Sequence, residues 1–418
     1  MRISTAYNYQ TTVSELQARQ SDMVSAQERM SSGKRVTKPS DDPAAMARAE
    51  RALSDQSRAE TRLRAIDASR NRMTLTEAAL GRTVDLTQSV RETLIAAGDA
   101  GYGSGERDAL VVQLKGLRQQ LLGQANQADG NGGYLFGGQG MTTEPFADLA
   151  SGVAAQVPPQ DSAYNAARED NLPLTVDGRQ VWLTASTGNG SFVTAPDTPN
   201  KGGAWISAGN VTDPGALQGA SYQLSFSVNA AGQSTYSVST FTKAANGVNT
   251  LTPVLDNQGK PVTGVPYQSG KTIAQVPGMS FQISGTPANG DIFSITPSTP
   301  SLSVFTAIDN AVAGLSNKSA SGTQIAQTVH SALRDVDQVL SRFQAARAEV
   351  GGTLNRLDGL QNSADARVLS AKTARSDAQD ADMVQAVSEF SNRQTSYQAA
   401  LQSYSMVQKL SMFQYINN

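Results

Sequence analysis

The stretch from Val329 to Leu357 constrains this chain more than any other. Val329, Leu333, Val336, Leu340, Phe343, Arg347, Val350, Leu354 and Leu357 follow one another in steps of four and three, and all but Arg347 are apolar. A helix with an apolar residue every 3.5 positions cannot bury that seam alone, so it winds around a partner helix as a coiled coil. Extended over residues 320–375, the pattern predicts a rod of roughly 80 Å at ~1.5 Å per residue. Gly351 and Gly352 interrupt it. Each costs about 1 kcal/mol against Ala inside a helix, so close packing or a local bend is expected to require them.

The partners lie in the first third of the chain. Leu63, Ile66, Met73, Leu80, Val84 and Leu94 share a stripe, and Leu110, Leu114, Leu117 and Leu121 form another. Asp42 is placed to cap the first of these helices, with Pro43 at the first helical position, where its missing N–H costs nothing. Gly98–Gly105 reads as the loop between them. Both extreme ends are amphipathic as well. At one end Val13, Leu16, Met23 and Met30 keep a 3–4 spacing up to a stop near Gly33. At the other Val387, Phe390, Tyr397, Leu401 and Tyr404 do the same, and the seam then drifts through Leu410. Heptads at opposite ends of one chain imply that the ends pair with each other.

Between these zones the composition turns to Gly, Pro, Thr, Ser and Asn. Tyr222, Leu224, Phe226 and Val228 alternate with polar residues, Tyr236 and Val238 look like a returning strand, and Asn229–Ser234 is the turn. Phe281 and Ile283 are expected to pair with Asp291–Ile295 around Gly285–Gly290. The fold class is therefore α+β and multidomain: long antiparallel helical coiled-coil rods built from both chain ends, with an inserted all-β domain at the far tip. The expected boundaries are terminal helical arms at 1–40 and 380–418, a helical rod at 41–140 and 301–379, and the β-domain at 141–300.

Little chemistry is on offer. The chain has 418 residues, no cysteine and a net charge of -2. Disulfides and thiolate metal sites are excluded, and neither a nucleic acid nor a membrane surface is an expected partner. Residues 1–20 carry no apolar stretch of the kind a cleaved signal peptide needs. His330 is the only histidine and has no cluster around it in sequence. Asp377, Asp380 and Asp382 favour the start of the last helix through its dipole rather than a metal. The glycines at 101, 103 and 105 and the segment Asn131–Gly138 lack the spacing, and the Lys-Ser/Thr, of phosphate loops. Arg29, Lys34, Arg35 and Lys38, and the arginines between 58 and 72, are interleaved with acids, as on a solvated helix face. No catalytic, cofactor or metal residue is assigned, and no enzyme activity is expected.

A resemblance adds to this reading. Glu28–Val36, with its Ser31-Ser32-Gly33 and basic Lys34-Arg35, runs on into Lys38-Pro39-Ser40-Asp41-Asp42-Pro43 and resembles the N-terminal signature of the bacterial flagellin superfamily. Val350-Gly351 and Asn355-Arg356-Leu357 resemble its C-terminal rod motif. Asp380 and Asp382, before a final helix rich in Tyr, Met and Gln, resemble its C-terminal arm. Within the superfamily the opening Met1–Thr5, the Pro39–Pro43 form of the acidic pair, the segment NGGYLFGG and the ending Leu410–Gln414 favour a member of the layer between hook and filament. A filament-forming flagellin is the alternative.

The resemblance implies an extracellular structural subunit of the flagellum. It would be exported unfolded by the flagellar type III apparatus, its C-terminal helix guarded by an export chaperone. It implies a homo-oligomeric ring of about eleven copies. The first hook-associated protein would lie on the hook side and flagellin on the filament side. On this view Val13, Leu16, Met23, Met30, Val387, Phe390, Tyr397, Leu401, Tyr404 and Leu410 form the assembly interface. Leu333, Val336, Leu340, Phe343, Val350, Leu354 and Leu357 form the core of the rod within one chain. The arms at 1–40 and 380–418 are expected to fold on assembly, since a lone amphipathic helix is marginal in water.

Overall fold

The computed structural model describes residues 2–99, 101–138, 141–150, 152–156, 172–197, 200–217, 219–243, 249–256 and 258–416. Among the described residues the α-helices are α1 (Arg2–Ser32), α2 (Pro43–Ala97), α3 (Ser104–Ala125), α4 (Gly178–Trp182), α5 (Val304–Leu315), α6 (Gly322–Gln379) and α7 (Met383–Ile416). The strands fall between Phe146 and Leu302, starting with the paired β1 (Phe146–Leu149) and β2 (Gly152–Ala155), while β3 (Ala185–Ser186) pairs with the last, β14 (Pro300–Leu302). The architecture is thus α+β, with long helices at both ends of the sequence and a β region in the middle. The chain divides into two compact units, Met1–Ile66 with Asp358–Asn418, and Asp67–Leu357.

In the first unit α1 ends where Gly33 turns into a left-handed conformation, with φ of 67°. That conformation is open to glycine at little cost. The strand-like link that follows is tied down by backbone bonds. Arg35 and Val36 donate their N–H groups to the Gln379 carbonyl, and Ala381 donates to the Gly33 carbonyl. Two carboxylates then organise the entry to α2. Asp41 accepts from the Thr37 and Lys38 amides. Asp42 caps the helix, accepting from Ala44 at 3.1 Å and Ala45 at 2.9 Å. The Lys38 and Thr37 amides hold the Asp41 carboxyl below the usual range, and the Ala45 amide does the same for Asp42. Here the buried side chains are Ala45, Ala49, Ala52, Ala59 and Ile66 on α2 and Ala364, Ala371 and Ala378 on α6, all small but Ile66. Arg375 donates to the Gln56 side chain across them.

In the second unit the same two helices carry a bulkier seam. Met73, Leu80, Thr87 and Leu94 recur every seven residues on α2, as do Val329, Val336, Phe343, Val350 and Leu357 on α6, and all are buried. Arg347 donates to Glu77 and Arg91 to Asp337, each at 2.7 Å, so the helices run antiparallel. The second seam position on α6 is held by Ala332, Val339 and Ala346, while Leu333, Leu340 and Leu354 stand one place further round and are half-buried. The buried hydroxyls of Thr83 and Thr87 donate to the carbonyls four residues back, which spares the seam unsatisfied donors. A Cβ at Gly351 or Gly352 would meet nothing within 4 Å, so close packing does not require either glycine.

Antiparallel to α3 lies α5. Arg118 of α3 forks between Asp148 and Asp309 and lies over the Phe305 ring. The Arg118 guanidinium holds the Asp148 carboxyl below its usual range, and the two carboxylates in turn raise the Arg118 pKa against its partial burial. Beside it an aromatic cluster closes the helical core. Trp182 of α4 stacks on Phe305 and meets Phe343 and Phe136 edge-on, at 5.9, 5.0 and 5.6 Å between ring centres. The segment Asn131–Gly138 serves this cluster as a structural turn. The Asp129 carboxylate accepts from the amides of Asn131 and Gly133 and pairs with Arg72. This places Leu135 and Phe136 in the interior.

The middle of the chain forms a β-sandwich. One sheet runs β10 (Val265–Pro266), β8 (Ser234–Lys243), β7 (Ser221–Val228), β13 (Ile292–Pro297), β4 (Phe192–Pro196), with β9 (Asn249–Pro253) also on β8. The other sets β11 (Thr272–Ile273), β12 (Met279–Thr286) and β5 (Gly203–Ile206) side by side, with β6 (Asn210–Val211) also on β12. The hairpin of β7 and β8 pairs Val228 with Ser234, as the alternation predicts. The second expected hairpin does not form, because β12 and β13 lie in different sheets. The cause is Asp291. Its buried carboxylate accepts from the amides of Lys201, Gly202 and Ala288, which turns the chain from one sheet into the other. Phe281 and Ile283 then face Phe293 and Ile295 across one shared core.

Candidate assembly surface

The arms of the first unit hold the residues assigned to assembly. Helices α1 and α7 lie antiparallel, tied by Asp22 to Arg393 at 2.8 Å and by the Tyr404 hydroxyl to the Tyr9 hydroxyl at 3.1 Å. The bond to Tyr9 raises the Tyr404 pKa above its ordinary value. Asp382 caps α7, accepting from Val384 and Gln385. Asp380 instead accepts from the Ser376 hydroxyl in the last turn of α6.

What the pair does not do is bury its apolar residues. Among the described side chains of α1 and α7, only Ala26 and Ala386 are buried. Val13, Leu16, Met23 and Met30 are half-buried, as are Phe390, Tyr397 and Tyr404. Val387 and Leu401 remain 50% and 42% exposed. The side chain of Leu410 lies outside the described residues. Pattern reading passed over four larger exposures, Tyr7 at 70%, Val24, Val384 at 82% and Met406. They sit off the heptad line, and only the observed surface reveals them. Each of the two helices thus carries large apolar side chains that the pair leaves partly or wholly uncovered.

The residues assigned to the rod core lie in the second unit. Val336, Phe343, Val350 and Leu357 are buried, whereas Leu333, Leu340 and Leu354 are partly covered. His330 is exposed and stacked on Trp205, with ring centres 4.4 Å apart and planes 9° from parallel. Among the described residues no group of three His, Cys, Asp or Glu is arranged to hold a metal ion. Nor is any described helix long and apolar enough to cross a membrane.

Comparison with known proteins meets this geometry at the same places. Residues 3–141 match the family model of the bacterial flagellin N-terminal helical region. Residues 333–416 match that of the bacterial flagellin C-terminal helical region. The flagellar hook-associated protein 3 of Salmonella typhimurium is 35% identical over 152 residues, 36% of this chain and 48% of that protein. The chain therefore spans about half the length of the curated relatives it matches. Among solved structures, the flagellar hook-associated protein-3 of Legionella pneumophila is similar with a TM-score of 0.68 at 26% identity, covering 78% of this chain and 97% of that one. The flagellar junction protein FlgL of the same organism gives a TM-score of 0.61 at 28% identity, covering 70% and 93%.

Proposed function

The chain belongs to the bacterial flagellin family, and we propose that it is the structural, non-enzymatic subunit of the layer that joins hook to filament. The observation that carries this is the uncovered arms: α1 and α7 contribute only Ala26 and Ala386 to any interior among their described side chains. Fully burying a Leu, Val, Phe or Met side chain gains ~1.5–3 kcal/mol. Several such residues on each arm favour association with neighbours, and little favours the arms standing alone. The names of the relatives support the junction over the filament. A closed ring of about eleven copies accounts for a surface that is not self-complementary within one chain. The first hook-associated protein then occupies one side and flagellin the other. The location is extracellular, and the route is the flagellar type III apparatus with an export chaperone on the C-terminal helix.

The test is addition of purified subunit to hooks that already carry the first hook-associated protein, and separately to filament seeds. A junction subunit adds one limited layer to the hooks and then stops. Unlimited growth on seeds overturns the junction reading in favour of a filament-forming flagellin. Failure to bind either particle overturns assembly through these arms.

A further inference from the structure

Beside the apolar seam, a second and polar stripe runs along α6 within the second unit. Gln327, His330 and Arg334 stand three and four residues apart, on one face of the helix. Each reaches the β-sandwich. The Gln327 carbonyl oxygen accepts from the Ile206 amide of β5 at 2.8 Å. His330 stacks on Trp205 of the same strand. Arg334 donates to the Thr194 carbonyl of β4 at 3.0 Å. The reaching groups are themselves fixed: the Gln327 amide donates to the Ser331 hydroxyl, and Arg334 is paired with Asp335. Two of the three contacts therefore read backbone groups of the sandwich rather than its side chains.

The sandwich has a core of its own. Its buried cluster runs from Phe192 to Ile295 and includes no residue of any of the long helices. Two cores joined through polar contacts behave as separable bodies, for which relative motion is the default unless something fastens them. We propose that Gln327, His330 and Arg334 form a latch that holds a separately folded β-sandwich against α6, and that loosening the latch frees the sandwich without unfolding it. Because Gln327 and Arg334 bond to backbone, side chains of the sandwich other than Trp205 are free to change while the latch holds. This goes beyond the assembly role, since it concerns neither arm.

The absence of native cysteine allows a direct test in the full chain. Lys115→Cys on α3 and Lys260→Cys on the sandwich, both at exposed sites, carry spin labels for a distance measurement. Two latch variants are compared with the parent: Gln327→Ala with His330→Ala, and Arg334→Met with Asp335→Asn, which removes the charged pair without stranding one partner. The latch predicts a narrow distance distribution in the parent, lost to a broad one in both variants. The sandwich core should stay folded, read as a persistent amide-exchange signal from β7, β8 and β13. A distribution that stays narrow in both variants overturns the proposal. So does collapse of the sandwich signal in both, since the sandwich is then not a body that folds on its own.

Discussion

Replacing Val387 and Leu401 with Ser separates assembly from folding. The two side chains are 50% and 42% exposed, so about half of each is left for a neighbour to cover. Full burial of such a side chain is worth ~1.5–3 kcal/mol, which makes the uncovered half worth ~1 kcal/mol at each site. The sites lie about 21 Å apart along α7 at ~1.5 Å per residue, far enough for their effects to add. The double variant should thus lose ~2 kcal/mol of association energy, or roughly 30-fold in the concentration needed for half-saturation. The free subunit loses the covered half of each side chain as well, but that loss falls on α7 and should leave the melting of the buried seam around Leu80 and Phe343 nearly unchanged. The assay is co-sedimentation with hooks bearing the first hook-associated protein, alongside thermal melting of the free subunit. Unchanged binding would refute the reasoning. A melting temperature that falls by several degrees would refute it equally, since the arms would then have a core within the monomer.

Three further outcomes are expected. Phe343→Ala removes a fully buried ring against Trp182 and should cost about 3–5 kcal/mol, read as the denaturant midpoint of the free subunit. Gly351→Ala with Gly352→Ala fills open space on a helix with no positive φ and should stabilise the monomer by ~1–2 kcal/mol in total, measured the same way. Acid should weaken the fold. The Asp41 and Asp42 carboxyls are held below their usual range by the Lys38 and Ala45 amides, and Asp148 by Arg118. A folded-state pKa below the unfolded one gives stability that is present above the ordinary carboxylate range and is lost as pH falls through the depressed values. Melting temperatures followed by circular dichroism should fall below about pH 4 and stay flat from about pH 5 to 8.

Much of the helical scaffold was legible because its signals are local or periodic. The Asp42 cap, the Gly33 stop and every seventh residue from Val329 to Leu357 can be read from spacing alone. The second seam position was misread. The eye favours Leu333, Leu340 and Leu354, yet Ala332, Val339 and Ala346 occupy it, and the leucines stand one place further round the helix, half-buried. Arg347, the apparent flaw in the heptad, stands outside the seam and pairs with Glu77. The β region shows the opposite limit. Phe281–Ile283 and Ile292–Ile295 have all the marks of a hairpin, and only the distant Lys201 and Gly202 amides on Asp291 reveal that the chain changes sheets. Nothing near His330 in sequence points to Trp205, since the two stand 125 positions apart in the chain.

The central claim is that the arms await neighbours, and amide hydrogen exchange before and after assembly tests it most directly. Exchange should be fast in α1 and α7 of the free subunit while the α2–α6 seam around Leu80 and Phe343 stays protected. Incorporation onto hooks should then slow the arms to the level of the seam. Arms already as protected in the monomer as that seam would contradict the account.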